Sequence, residues 1–166
     1  MLSYQIEGPW PGELAIIPRP RGGDWLDDEA RALKGDGFEV VVSLLTREEA
    51  EEFGLEDEAN SIRRQGLQFC NYSIPDREVP ASRDSAMEFL QMLRQDLVSG
   101  KKIAVHCRGS IGRSGLVASS ILVLSGIEPT DAFRQVSEAR GVSAPETDAQ
   151  KDWVVRLSLE PAESLI

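Results

Sequence analysis

Residues 103–124 read IAVHCRGSIGRSGLVASSILVL. Three apolar residues run into His106 and Cys107, a short loop with two glycines leads to Arg113 and Ser114, and an apolar stretch of helix length follows. This is the pattern of a strand, a tight loop and a helix. Whatever else the chain does, it is expected to present this loop.

Outward from that stretch, strand-like and helix-like segments alternate. Strands are predicted at 14–17 (LAII), 40–45 (VVVSLL), 67–72 (LQFCNY) and 103–105 (IAV). Helices are predicted over 24–34 with an Asp cap, over 47–53 with Thr46 and Glu49 as a capping box, and over 55–66 ending at Gly66. Further helices follow Ser82, where Ala86, Phe89, Leu90, Leu93 and Leu97 keep helical spacing, and run over 113–125, 130–139 and 147–159. Such alternation predicts an α/β fold: a single domain over 1–166 with a mainly parallel central sheet and helices on both faces. Residues 1–12 are read as an N-terminal extension and 160–166 as a frayed tail.

In parallel sheets, ligands bind at the carboxyl edge of the strands. That edge is expected to collect Cys107 and the loop after it, Asp76 in the proline-bracketed IPDREVPAS, Arg47 after the second strand, and Arg19 and Arg21 after the first. The amides from Arg108 through Gly109, Ser110, Ile111 and Gly112 to Arg113, curled by the two glycines, form a nest for a phosphate-sized dianion. Arg113 adds a planar fork of donors for two oxygens at once. Helix N-termini and cationic neighbours lower a thiol from about 8.5 to ~3.5–7.5, which predicts Cys107 as a thiolate nucleophile. Ser114 can donate toward the sulfur, His106 can set backbone geometry and the state of the thiol, and Asp76 is placed to protonate a leaving oxygen, with Glu78 the nearest rival.

HCRGSIGRSG resembles the signature of the cysteine-dependent protein tyrosine phosphatases: His-Cys, five residues, Arg, then Ser or Thr. IPD, ending at Asp76, is similar to the mobile general-acid loop of that superfamily. The short chain resembles its small dual-specificity branch, and the loop is similar to the cyclin-dependent-kinase-associated phosphatase subgroup; the likeness runs from Val40 to Trp153. ETDAQ, 146–150, resembles a glutamine-containing loop that orders the hydrolytic water. This chain departs from the pattern at Ser110, where glycine is usual, and at Glu146, which replaces the first glutamine and leaves Gln150.

The resemblance implies a phosphomonoester hydrolase acting on phosphotyrosine, with phosphoserine and phosphothreonine as further substrates, through a phosphocysteine intermediate. No metal or cofactor is expected, because amides and Arg113 supply the charge stabilisation that a cation supplies elsewhere. The alternatives are a phosphatase of a phosphoinositide or other non-protein phosphate, disfavoured by a loop without lysines, a non-catalytic phosphate-binding adaptor, and a thiol-redox enzyme that would need Cys70 beside Cys107.

The remaining sequence narrows the partners. A net charge of -10 argues against nucleic acid and anionic membranes, which repel a polyanion over a Debye length of ~8 Å. The expected partner is a phosphorylated protein or peptide. Two cysteines cannot form a disulfide framework, residues 1–12 lack the make-up of a signal peptide, and no apolar run reaches bilayer length, so a cytoplasmic location is expected. Tyr72, Trp10 and Trp25 read as packing residues, and the acidic run REEAEEF as an exposed helix face.

Overall fold

The structure is a computed structural model that describes residues 1–159. The expected frayed tail at 160–166 lies outside the described residues. Five strands form one sheet: β1 (Tyr4–Ile6), β2 (Glu13–Ile16), β3 (Val40–Ser43), β4 (Gln68–Asn71) and β5 (Lys102–His106). Their spatial order is β1-β2-β5-β3-β4, so the strand that ends at Cys107 is the central one. β2, β5, β3 and β4 pair in parallel.

The sheet is nevertheless mixed. Residues 1–12, expected to be an extension, contribute β1, which pairs antiparallel with β2 from Tyr4↔Ile16 to Ile6↔Leu14. Three residues with a single buried side chain carry too little periodicity to announce a strand.

Side-chain alternation distributes the two cores. Leu14, Ile16, Val40, Val42, Ile103 and Val105 face one side, where four helices pack: α4 (Arg83–Val98), α5 (Gly112–Leu124), α6 (Pro129–Arg140) and α7 (Asp148–Leu159). Ala15, Ile17, Val41 and Ala104 face the other, against α1 (Leu26–Gly35) and α3 (Glu58–Arg64). β-branched residues buried on both faces are what a central parallel sheet requires. The short α2 (Arg47–Glu52) sits at the carboxyl end of β3.

Thr46 and Ser82 are the N-cap side chains that cap their helices as predicted. Ser82 accepts from the Ser85 amide at 3.2 Å, and α6 begins with Pro129 and ends at Gly141 with φ 84°. The start of α1 is different. Asp24 makes no cap, because Gly23–Trp25 forms a 3₁₀ turn and the α-helix begins at Leu26. Among the described residues, no helix is long and apolar enough to cross a membrane.

Candidate active site

β5 delivers His106 and Cys107 to the carboxyl edge, and α5 begins at Gly112. Cys107 is 2% exposed and belongs to the core on the α5 side of the sheet. His106 faces the other way: its Nε2 shares a 2.7 Å hydrogen bond with Glu58 Oε2 of α3, with both side chains buried. Nδ1 is buried without a partner among the described residues. The imidazole is thus committed behind the loop.

Between them, the loop curls in a way its sequence does not suggest. Neither Gly109 nor Gly112 has a positive φ; the left-handed residue is Ser110, with φ 55°. An L-residue pays for that conformation unless local bonds compensate. Here Ser110 is 1% exposed and its Oγ donates to the Ile17 carbonyl at 2.6 Å, tying the loop to the end of β2. The unusual serine therefore anchors the turn. Gly112 is tightly placed instead: a Cβ there would stand 3.0 Å from Gln150 Oε1 and 3.1 Å from Glu146 Oε2, so those side chains would have to give way. A Cβ at Gly109 would meet nothing within 4 Å.

Arg113 is the most committed side chain of the site. It is 1% exposed, and Nη1 donates to Glu49 Oε1 at 2.6 Å and to the Ile74 carbonyl at 2.8 Å. Nη2 donates to Glu49 Oε2 at 2.8 Å and to Asp76 Oδ1 at 3.1 Å. Burial pushes the guanidinium pKa down, but the Glu49 hydrogen bond and the charges of Cys107, Glu49 and Asp76 raise it above its ordinary value. Its charge is fixed.

By its sequence, Glu49 is only the second half of a capping box, inside a run with the pattern of an exposed helix face. The box forms: Glu49 N donates to Thr46 Oγ1 at 3.3 Å, and Thr46 N to Glu49 Oε1 at 3.1 Å. Yet the same carboxylate is buried against Arg113, 64 residues away, while Glu48, Glu51 and Glu52 stay exposed. Burial pushes its pKa up, but Arg113 and Thr46 outweigh that and hold it below the ordinary glutamate value. Glu49 therefore stabilises the fold above about 4.5, and this contribution is lost as pH falls below that value. A Glu49→Gln variant is expected to lose stability at pH 7 near the low end of the ~3–5 kcal/mol typical of a broken buried pair. Urea titrations of the two proteins are expected to converge in acid; a constant gap would assign the effect to packing.

Asp76 lies on the loop after β4, with 47% of its side chain exposed and its carboxylate on Arg113. The next residue, Arg77, has φ 65° and bonds Glu146 at 2.9 Å, which links this loop to the segment before α7. Ser114 is buried, and its hydroxyl has no hydrogen-bond partner among the described residues. Gln150 is buried next to Gly112, but its Oε1 accepts from the amides of Glu146 and Thr147 and its Nε2 donates to the Glu78 carbonyl. These bonds make it chiefly a brace between loops.

Of the arginines expected at this edge, Arg19 alone reaches the loop, donating to the Arg108 carbonyl at 3.0 Å. Arg21 pairs with Glu29 and stacks on Trp25; Arg47, on the outer face of α2, pairs with Glu51. A residue missed from the sequence is Arg140, at the end of α6, which donates to the carbonyls of Ser110 and Gly109. Arg108 bonds Glu52 at 3.4 Å, and Ile111 is partly buried against the core. Tyr72 stacks on Phe89 at 4.5 Å, as a packing residue does.

Cys70 is no redox partner. It pairs in register with Val42, which pairs with Val105, so Cys70 lies two strand spacings, roughly 9–10 Å, from β5 before the further step to Cys107. A disulfide requires Cα atoms within about 7 Å. Burial and Asp96 also push the Cys70 thiol up, away from the reactive thiolate.

Comparison with known proteins agrees with this geometry. The family model described as Tc-R-P, polymorphic toxin system, DSP-PTPase phosphatase, matches residues 17–127. The chain is 31% identical over 159 residues to the putative tyrosine phosphatase 197R of Invertebrate iridescent virus 6, covering 92% of this chain and 55% of that one. It is 27% identical over 131 residues to cyclin-dependent kinase inhibitor 3 of Rattus norvegicus, covering 78% and 61%. The chain thus spans about three fifths of the length of the curated relatives it matches. Kinase associated phosphatase, solved with a serine substituted for its catalytic-site cysteine, superposes with a TM-score of 0.87 over 97% of this chain and 98% of that one, at 20% identity.

Proposed function

Because the chain belongs to the Tc-R-P family of DSP-PTPase phosphatases, and so to the small dual-specificity branch, we propose that it hydrolyses phosphomonoesters of proteins, phosphotyrosine first and phosphoserine or phosphothreonine second. The whole of 1–166 acts as one phosphatase domain. The observation that carries this reading is that one guanidinium, Arg113, touches the candidate acid Asp76 while forming the end of the loop that begins at Cys107.

In the first step the Cys107 thiolate attacks phosphorus in line, the bond from phosphorus to the leaving oxygen breaks, and Asp76 gives that oxygen its proton. Inward amides of residues 108–113 and the Arg113 fork stabilise the charge on the equatorial oxygens. In the second step water attacks the phosphocysteine, Asp76 takes its proton, and the sulfur–phosphorus bond breaks to release inorganic phosphate. The Ser114 hydroxyl donates to the departing thiolate.

A series of aryl and alkyl phosphates, assayed in EDTA, tests this. Asp76→Asn is expected to slow turnover by about 10²–10⁴, most for alkyl esters, whose oxygen needs the proton most. Equal rates on alkyl esters would move the acid role to Glu78. Loss of all activity with chelator would overturn the mechanism. A panel of phosphopeptides against phosphoinositides decides the substrate class.

A further inference from the structure

The outer face of the loop is held by two guanidiniums. Arg19, beyond the end of β2, donates Nη1 to the Arg108 carbonyl at 3.0 Å, and its Cζ lies 3.6 Å from the centroid of the Phe53 ring. Arg140, from the last turn of α6, donates Nε to the Ser110 carbonyl at 2.9 Å and Nη2 to the Gly109 carbonyl at 3.4 Å, over the Tyr4 ring at 4.3 Å. Three successive carbonyls are thereby turned away from the cradle and into cations. Among the described residues, neither arginine pairs with a carboxylate, whereas Arg21, Arg47, Arg77 and Arg108 all do.

Peptide geometry converts this into an effect on the inner face. In a trans peptide the carbonyl of one residue and the amide of the next point in opposite directions. Carbonyls of residues 108–110 held outward aim the amides of Gly109, Ser110 and Ile111 inward. A carbonyl bonded to a cation is polarised, which makes the amide on the same peptide a stronger donor. Tyr4, on β1, and Phe53, at the end of α2, position the two cations.

We propose that Arg19 and Arg140 are positioning residues that act through the loop's peptide groups, so that charge outside the cradle sets its affinity for a tetrahedral oxyanion inside. The inference rests on the loop being a phosphate cradle. Neither residue touches the reacting atoms.

Tungstate binding by calorimetry, with KM and kcat on an aryl phosphate, tests the idea. Arg140→Met and Arg19→Met are each expected to weaken tungstate about 10-fold and raise KM in parallel, with kcat changed less. Arg140→Lys retains the charge and is expected to recover binding to within about 3-fold of wild type. Arg140→Gln keeps a donor but no charge and is expected to behave like the Met variant. Wild-type affinity in both the Gln and Met variants overturns the proposal, whatever happens to their melting temperatures. Equal weakening in the Lys and Met variants also overturns it, because shape and not charge would then matter. A wild-type protein that does not bind tungstate instead refutes the cradle itself.

Discussion

Replacing Cys107 by serine is expected to abolish turnover of an aryl phosphate, by about 10⁴-fold or more, equivalent to over ~5 kcal/mol of barrier, while tungstate binding stays within a few-fold of wild type. A thiolate needs no base, whereas a serine hydroxyl would have to lose its proton as it attacks. The neighbouring histidine is not placed to take that proton, since its ring points to the opposite face of the sheet, where Nε2 is bonded to Glu58. The amides and Arg113 are untouched by the exchange, so anion capture survives. Residual activity within 100-fold of wild type would place the nucleophile elsewhere.

The second large effect is expected for Arg113→Lys, which removes binding and chemistry together. One guanidinium now satisfies both oxygens of Glu49, the Ile74 carbonyl and Asp76. An ammonium has three donors on a single point and cannot span that set while also meeting two phosphate oxygens. A fall in kcat/KM of at least about 10³ is expected, the scale on which a preorganised donor to transition-state charge acts. Tungstate binding is expected to fall with it, and the contrast with the Cys107 variant separates capture from attack. Undiminished tungstate affinity would assign capture to the backbone amides alone.

Much of the site was legible because the parallel-sheet rule converts sequence order into spatial proximity. Once 40–45, 67–72 and 103–105 read as parallel strands, Asp76 had to lie near Cys107, and Arg19 near the loop. Glu49 escaped for a definite reason. Its pattern with Thr46 was already explained locally by a cap, and nothing in an acidic helix marks which carboxylate turns inward toward an arginine 64 residues on. Arg140 escaped likewise, since a basic residue in the last turn of a helix already answers to the helix dipole. The glycines of the loop invited a conformational reading, whereas the left-handed residue is a serine that compensates through one long-range hydrogen bond. β1 was too short to carry a period.

The contact between Asp76 and Arg113 has a consequence for the order of events. Of the five N–H groups of the guanidinium, four are used by protein oxygens, and the one bonded to Asp76 is the one whose acceptor is exposed and carried on a surface loop. An arriving phosphate that takes the arginine's free fork edge must evict this internal carboxylate. With Asp76 as the proposed proton donor, eviction parts its carboxylate from the cation and lets it take a proton, from the arriving phosphate monoanion or from water, to pass to the leaving oxygen, so substrate entry and arming of the donor become linked steps. A side chain at 76 without charge competes less for the arginine, and the enzyme that is slowest to expel its leaving group is then also the one that holds its phosphoester most tightly.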